Sequence, residues 1–223
     1  MEQNLPSFEE IFPCWDKLAS SQREQIKSST EVRHYKKGQI LYGGEEDCAG
    51  LFLVQEGQLR VFIVSDKQKE ITLYRLFSWD ICLFSASCIM SNINFDIHVE
   101  AEKDTDLFVV SAPLYEELMR TSLPVSRHTN NLMASRFSDV MWIMEKILFT
   151  SFDSRLAAFL LELGVIEESD VLTVTHDEIA RHLGSAREVV TKMLNYFSNE
   201  GYLSLSRGKI TLLDKPKLRE LTV

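Results

Sequence analysis

Residues 175–188 contain two short patterns, ten residues apart, that each predict the start of a helix. Thr175 with Glu178, and Ser185 with Glu188, are spaced as in a capping box, where a hydroxyl and a carboxylate satisfy the first backbone N–H groups of a helix. Gly184 lies between them and predicts a tight turn. The sequence therefore predicts a helix-turn-helix whose helices pack through a shared apolar set: Ile179, Ala180, Leu183, Val190 and Leu194.

The outward face of the second predicted helix carries side chains that match the edges of DNA bases. Val190, Leu194 and Phe197 share an inward stripe at helical spacing, which leaves polar residues on the opposite side. Arg and Lys donate to guanine O6 and N7, and Glu accepts from cytosine N4. These positions are predicted to contact DNA: Ser185, Arg187, Glu188, Thr191 and Lys192. An ordinary amphipathic surface helix is the alternative.

A β-hairpin is predicted after the second helix. Residues 203–213 alternate apolar and polar side chains around a turn at Gly208. Arg207 and Lys209 lie at the tip of this predicted wing, where basic side chains contact phosphate oxygens without reading sequence. A surface hairpin with basic residues for solubility is the alternative.

The stretches His176–Leu194 and Asn199–Ile210 resemble the DNA-binding domain of the cyclic-AMP receptor protein and fumarate-nitrate-reduction regulator (Crp/Fnr) superfamily. The similarity extends along the chain. It implies a sequence-specific transcriptional regulator in which Arg187, Glu188 and Lys192 contact bases, although relatives usually have Arg in place of Lys192. Double-stranded DNA is the implied partner, and RNA polymerase is a further one in activating relatives.

Catalytic motifs are missing from the sequence. It contains no His-x-His pair of a cupin-type dioxygenase, no Gly-x-Ser-x-Gly, no His-Glu-x-x-His and no phosphate loop. We therefore do not expect an enzyme. A ligand- or redox-sensing interaction module without specific DNA binding is the alternative function.

Length and charge fit a two-domain regulator. The chain has 223 residues, lacks a long apolar segment and has no signal-peptide pattern at its start, so we expect a cytoplasmic protein without a membrane partner. Four cysteines are too few for a disulfide framework. The net charge is −9, but residues from Thr150 onward carry 9 basic and 11 acidic side chains, so most of the negative charge precedes the predicted DNA-binding region.

The part of the chain before residue 112 reads as short strands separated by turns. Strands are predicted at 39–42, 50–54, 58–64, 70–76, 98–101 and 106–110. The spacing of the turn glycines resembles the double-stranded β-helix of the same superfamily, a jelly roll like that of cyclic-nucleotide-binding domains. The expected fold class is α+β, with a sensor roll (1–112), a dimerisation helix and hinge (113–149) and a winged helix-turn-helix (150–223).

The expected effector pocket departs from the pattern of cyclic-nucleotide binders. Trp79 stands where such relatives have a glycine, and no Lys or Arg lies between Phe84 and Lys103 to pair with a cyclic phosphate. Cyclic AMP and cyclic GMP are therefore not expected, and the effector and any cofactor are unknown. The pocket is expected at the corresponding residues: Asp80, Cys82, Leu83, Phe84 and Cys88.

Cys82 and Cys88 could form a thiol sensor, or both could be small buried apolar residues. An iron–sulfur cluster would need all four cysteines, whose spacing matches no ligation pattern. His34 or His98 could ligate a haem, although a lone His on a strand is more often packed or solvated. Neither cofactor has positive support.

A short helix followed by a long one is predicted between the two domains, because Leu114–Leu148 holds one proline, at position 124, and no glycine. Alternating steps of four and three residues define a coiled-coil seam for a homodimer: Met133, Phe137, Val140, Met144 and Ile147. A second stripe, Leu132, Met141 and Leu148, is predicted to face the roll of its own subunit. A two-fold dimer presents recognition helices about 34 Å apart, which predicts an inverted-repeat operator. Phe149–Asp153 is the predicted hinge, with Asp153 capping the next helix.

Overall fold

The structure is a computed structural model that describes residues 7–43, 49–89 and 97–222. By their contacts, the residues fall into two units. The first runs to Val64 and continues with Leu73–Val140, and the second combines Ser65–Thr72 with the chain from Met141 onward. None of the described helices is long and apolar enough to cross a membrane.

Two four-stranded sheets make up most of the first unit. One has the order β1-β8-β3-β6 and the other β2-β7-β4-β5. Their bounds are β1 Thr30–Tyr35, β2 Ile40–Gly43, β3 Leu51–Glu56, β4 Gln58–Val64, β5 Glu70–Phe77, β6 Ile81–Cys82, β7 His98–Ala101 and β8 Thr105–Val110. The strand predictions are confirmed to within two residues at each end, whereas β1 and the short β6 were not predicted.

The strand β3 shows why the first sheet is buried on both faces. Successive side chains of a strand point to opposite faces. Phe52 and Val54 therefore enter the apolar cluster between the two sheets. Leu51 and Leu53 enter a second cluster, which helices cover. The aromatic side chain of Trp15 lies in that second cluster.

Helices complete the first unit. They are α1 Phe8–Ile11, α2 Ser20–Ser29, α3 Ala112–Thr121 and α4 Leu123–Phe149, and a 3-10 turn lies at Trp15–Lys17. Pro124 falls in the first turn of α4, where its missing N–H costs no hydrogen bond. The predicted short helix followed by a long one is thus confirmed, as α3 and the 27-residue α4.

The second unit contains a three-stranded sheet and short helices around one apolar core. Its elements are α5 Phe152–Ile166, β9 Val171–Leu172, α6 His176–Leu183, α7 Arg187–Asn199, β10 Leu203–Ser206, β11 Lys209–Leu212 and α8 Lys215–Glu220. The sheet order is β10-β11-β9. This arrangement is the predicted winged helix-turn-helix. The prediction that Asp153 caps α5 is wrong, since Ser151 is the N-cap and Asp153 lies in the first turn.

Candidate nucleic-acid interface and sensor pocket

The turn between α6 and α7 forms as its residues predict. Thr175 caps α6: its Oγ1 accepts from the backbone N–H of Glu178 at 3.2 Å, and the Glu178 carboxylate accepts from the backbone N–H of Thr175 at 2.7 Å. Gly184 ends α6 with φ +64°, a conformation that glycine adopts without steric cost. The two helices therefore meet at a fixed corner.

The start of α7 differs from the prediction. The N-cap is Ala186, and its side chain makes no capping hydrogen bond. Ser185 instead donates its backbone N–H to the carbonyl of Ala180 at 3.0 Å. The second capping box, Ser185 with Glu188, is therefore wrong: the chain has to close the end of α6 first, so α7 begins one residue later than predicted.

The two faces of α7 divide as predicted. Val190, Leu194 and Phe197 are buried in the core of the second unit, together with Ile179 and Ala180 of α6. On the opposite face Arg187, Glu188 and Lys192 are exposed. Their contact with bases stays a prediction.

Two contacts between α6 and α7 involve residues that are predicted to bind DNA. Nη1 of Arg187 lies 3.1 Å from Oδ2 of Asp177, and both side chains are more than half exposed. Oγ1 of Thr191 lies 2.8 Å from Nδ1 of His176. Arg187 must leave an exposed ion pair in order to reach DNA, which costs little. Thr191 instead ties α7 to the start of α6.

The wing is a tight hairpin of β10 and β11. Ser206 pairs with Lys209, so the turn consists of Arg207 and Gly208. Arg207 and Lys209 are both exposed. Their side chains are free to reach a phosphate backbone, as the sequence predicts.

The tip of the β4–β5 hairpin belongs to the second unit and contacts α6, which the sequence did not indicate. Ile71 forms an isolated β-bridge with Leu183, and Oγ1 of Thr72 lies 2.8 Å from Nδ1 of His182. The His182 ring also packs on Phe159, with ring centroids 5.0 Å apart. The end of α6 is therefore held by side chains that are distant in sequence.

The predicted pocket residues separate into different environments. Cys82 and Phe84 lie in the cluster between the sheets, whereas Leu83 faces the other way into the helix-covered cluster. Asp80 accepts from the backbone N–H of Phe77 at 2.9 Å, which closes the preceding turn. Among the predicted pocket residues whose side chains the structure describes, Cys82 and Phe84 share this interior environment. The Cys88 side chain lies outside the part of the chain that the structure describes.

Trp79 has a left-handed backbone conformation of the kind that glycine adopts readily. Its φ is +79°, which is rare for a residue with a side chain. Its backbone N–H donates to the carbonyl of Val54 at 2.8 Å, and the indole is exposed.

Cys82 has the environment of a packed apolar residue. It is a free thiol with no exposed surface, and burial raises its pKa. We expect iodoacetamide to leave Cys82 unmodified in the native protein at neutral pH and to label it fully in urea, because thiolates react and buried thiols do not. Peptide mass spectrometry measures this. Rapid native labelling of Cys82 would contradict the structural role.

The two histidines considered for haem are both engaged. Nδ1 of His34 lies 2.5 Å from Oδ1 of Asp106, and the His98 ring stacks on Phe62 with centroids 5.2 Å apart. Among residues 7–43, 49–89 and 97–222, no group of three or more His, Cys, Asp or Glu side chains could hold a metal ion.

An exposed apolar stripe runs along α4. Phe137 is 66% exposed, and Met144 and Ile147 are also exposed, as predicted for a dimer seam. Met133 departs from that seam, since it is half-buried and packs on both clusters of the first unit. The roll-facing role predicted for Met141 and Leu148 is wrong, because both are exposed and lie within about 40° of Phe137 around the helix axis.

Comparisons with known proteins agree with this architecture. Residues 154–221 match the Crp-like helix-turn-helix domain, and residues 32–122 match the cyclic nucleotide-binding domain. Transcriptional regulator SdrP of Thermus thermophilus is 31% identical over 209 residues, covering 86% of this chain and 96% of that protein. The cyclic AMP receptor protein of the same organism is 26% identical over 210 residues, covering 94% and 96%.

A solved structure of a Crp/Fnr-family regulator from Eubacterium rectale is similar over almost the whole chain. It has 53% sequence identity and a TM-score of 0.93, and the match covers 95% of this chain and 98% of that one. These relatives are transcriptional regulators rather than enzymes. The chain belongs to the Crp/Fnr family of transcriptional regulators, with a helix-turn-helix DNA-binding domain.

Proposed function

We propose that the protein acts in the cytoplasm as a homodimer that binds an inverted-repeat operator through two copies of α7. An effector in the first unit sets the operator affinity, and RNA polymerase is a further partner. The effector is not cyclic AMP. The division into a sensor (1–112), a dimerisation helix with hinge (113–149) and a DNA-binding domain (150–223) is part of this proposal.

The exposed face of α7 carries the proposal. Its opposite face is fully buried, so the helix is rigidly seated while Arg187, Glu188 and Lys192 stay accessible. An α-helix fits the major groove of B-DNA, where these side-chain types distinguish base pairs. Arg207 and Lys209 of the wing supply phosphate contacts that fix the register.

The stripe on α4 supports the dimer. Its exposed apolar side chains are Phe137, Met141, Met144, Ile147 and Leu148. A contiguous apolar surface of this kind marks an interface. A two-fold axis along the helix pairs the stripe with itself and places two recognition helices on one face of the DNA.

Selection of operators from random DNA, followed by gel shifts at two salt concentrations, tests specific binding. We expect an inverted repeat to be enriched, and its affinity to fall with salt by a log–log slope of about −0.9 per phosphate neutralised. Equal affinity for all sequences would instead favour an interaction module without specific DNA binding.

Substitution of Glu188 tests base readout. Glu188→Ala should weaken operator binding by roughly 5- to 150-fold, because one base contact contributes about 1–3 kcal/mol of discrimination. Binding to random DNA should not weaken, since the change removes a negative charge. Fluorescence anisotropy with operator and random duplexes measures both.

Glu200→Ala is the matched control for this experiment. It removes the same charge from an exposed residue after the far end of α7. Operator affinity should stay within twofold of the unmodified protein. An equal loss in both variants would point to a general disturbance of α7 and contradict base readout by Glu188.

Regulation should appear as a coupling between effector and operator. Such couplings amount to about 1–3 kcal/mol, or 5- to 150-fold in affinity. The lack of any Lys or Arg between Phe84 and Lys103 in the sequence, together with Trp79, argues against a cyclic nucleotide as that effector. Cyclic AMP at millimolar concentration should therefore leave operator affinity unchanged.

A further inference from the structure

Tyr74 of β5 and Arg136 of α4 meet at the interior of the first unit. The guanidinium carbon of Arg136 lies 4.5 Å from the centroid of the Tyr74 ring. Tyr74 packs against the cluster between the sheets, and its ring is 6.2 Å from that of Phe84. A cationic side chain of the long helix thus reaches the environment of Cys82 and Phe84.

Each of these two side chains has a buried polar atom without a hydrogen-bond partner among the described residues. The atoms are Oη of Tyr74 and Nε of Arg136. Nη1 of Arg136 is satisfied, since Asp139 accepts from it at 3.0 Å. Most buried polar atoms in proteins are hydrogen-bonded, and leaving one unpaired opposes folding. Two such atoms side by side indicate a missing partner.

The missing partner must be a hydrogen-bond acceptor. The Arg136 Nε–H can only donate. The Tyr74 hydroxyl stays protonated, because burial raises its pKa well above the ordinary value, so it can donate as well. The thiol of Cys82 is likewise kept protonated by burial. The two unpaired groups of Tyr74 and Arg136 are therefore both able to donate.

A carboxylate meets this requirement best. Its two oxygens can accept one hydrogen bond each, and bonds from arginine to a carboxylate are strong because both groups are charged. Asp139 already offsets much of the guanidinium charge, so a singly charged group suits the unpaired Nε–H better than a doubly charged one. The surrounding side chains, Phe84, Met133 and Cys82, are apolar and suit a hydrophobic body on the ligand.

We propose that Tyr74 and Arg136 form the effector site, and that the effector is a small carboxylic acid with an apolar body. Its carboxylate accepts from Oη of Tyr74 and Nε of Arg136, and its body packs on Phe84 and Met133. The assignment of this ligand as an effector rests on the proposed regulatory function. The binding site itself does not.

Binding is tested on the full-length protein with four probes and a nucleotide. Benzoate and hexanoate should raise the melting temperature in a concentration-dependent way and give saturable heats in calorimetry. Benzamide and hexanamide have the same bodies without the charge, and they should bind at least tenfold more weakly. Failure of both carboxylates at millimolar concentration, or equal binding of the amides or of cyclic AMP, would overturn the proposal.

Tyr74→Phe separates a binding role from a structural one. It removes an unpaired hydroxyl, so the protein without ligand should melt about 2–4 °C higher, while carboxylate affinity falls at least tenfold. Tyr115→Phe is the matched control, because its hydroxyl lies 2.7 Å from Oγ1 of Thr129 and its loss should lower the melting temperature without changing affinity. A lower melting temperature for Tyr74→Phe, or unchanged affinity, would contradict the site.

Arg136→Lys provides a second test that does not depend on the tyrosine. Lysine keeps the charge and the partner Asp139 but lacks the Nε donor, so carboxylate affinity should fall at least tenfold. The operator assay then distinguishes the two proposals. Carboxylate binding that leaves operator affinity unchanged would refute the effector role and leave the site intact, whereas loss of specific DNA binding would refute the proposed function alone.

Discussion

Phe137→Glu is expected to convert the protein to monomers and to lower operator affinity by two orders of magnitude or more. The side chain is 66% exposed at the centre of the α4 stripe, so the proposed dimer buries it against its own copy. A glutamate there would place two unpaired charges in an apolar interface. A monomer holds one half-site and loses the avidity of two linked sites, which is worth about 10²- to 10⁴-fold. Sedimentation velocity at micromolar protein and gel shifts measure the two effects.

Trp142→Glu is the matched control for the dimer. Trp142 is another exposed aromatic residue of α4, 54% exposed, and lies about 140° around the helix from Phe137. This variant should remain dimeric and bind the operator. A dimer that persists in Phe137→Glu but dissociates in Trp142→Glu would show that another face of α4 forms the interface.

Gly184→Ala is expected to destabilise the second unit by about 2–5 kcal/mol. Gly184 has φ +64°, where a residue with a side chain costs about 1–2 kcal/mol. An added Cβ would also lie 2.4 Å from Cγ1 of Ile71. Ile71 is β-branched and rotates poorly, so the overlap adds about 1–3 kcal/mol. Urea unfolding followed by circular dichroism gives the loss in free energy of unfolding.

Gly201→Ala isolates the backbone contribution. Gly201 has φ +76°, but a Cβ there would meet no atom within 4 Å. Gly201→Ala should therefore lower the free energy of unfolding only by the cost of the left-handed backbone, about 1–2 kcal/mol. Ile71→Ala in the Gly184→Ala background should recover part of the larger loss. Equal costs for the two glycines would mean that the hairpin tip does not constrain the end of α6.

The parts that could be predicted from the sequence are those specified by local chemistry. The helix-turn-helix follows from Thr175, Glu178 and Gly184, all within ten residues, and from the apolar spacing of α7. The strands of the first unit also follow from local patterns, namely alternating apolar and polar side chains and glycines at the turns. Each of these patterns predicts its element without information on the residues that pack against it.

Features that depend on distant contacts were missed or wrong. The strand β1 pairs with β8, about 75 residues away, and its four central residues are all exposed, so its sequence carries little apolar signal. Ser185 matches the capping spacing, but the turn that ends α6 uses its backbone first. Met141 and Leu148 fit a helical stripe, yet periodicity alone does not say which stripe has a neighbour.

The candidate sensor site likewise combines residues that the sequence predicts with residues that only the fold brings together. Cys82 and Phe84 are expected in the pocket because they correspond to pocket residues of cyclic-nucleotide binders, and both lie in the cluster between the sheets. Leu83 was selected with them, although strand alternation sends it to the opposite face. Tyr74 and Arg136 could not be found from the sequence, because they are 62 positions apart and nothing in either neighbourhood indicates their stacking.

Arg136 and Phe137 are consecutive residues of α4, one directed into the roll and the other into solvent. Consecutive helical residues are about 100° apart around the axis and share one backbone. A rotation of the helix that moves one of these side chains therefore moves the other as well. A twist of α4 by about 10° would displace a surface atom by about 1 Å, a distance that closely packed side chains do not absorb. In the proposed dimer, a rotation of α4 caused by a ligand at Arg136 would therefore reach the partner subunit through one continuous helix, without an intervening loop.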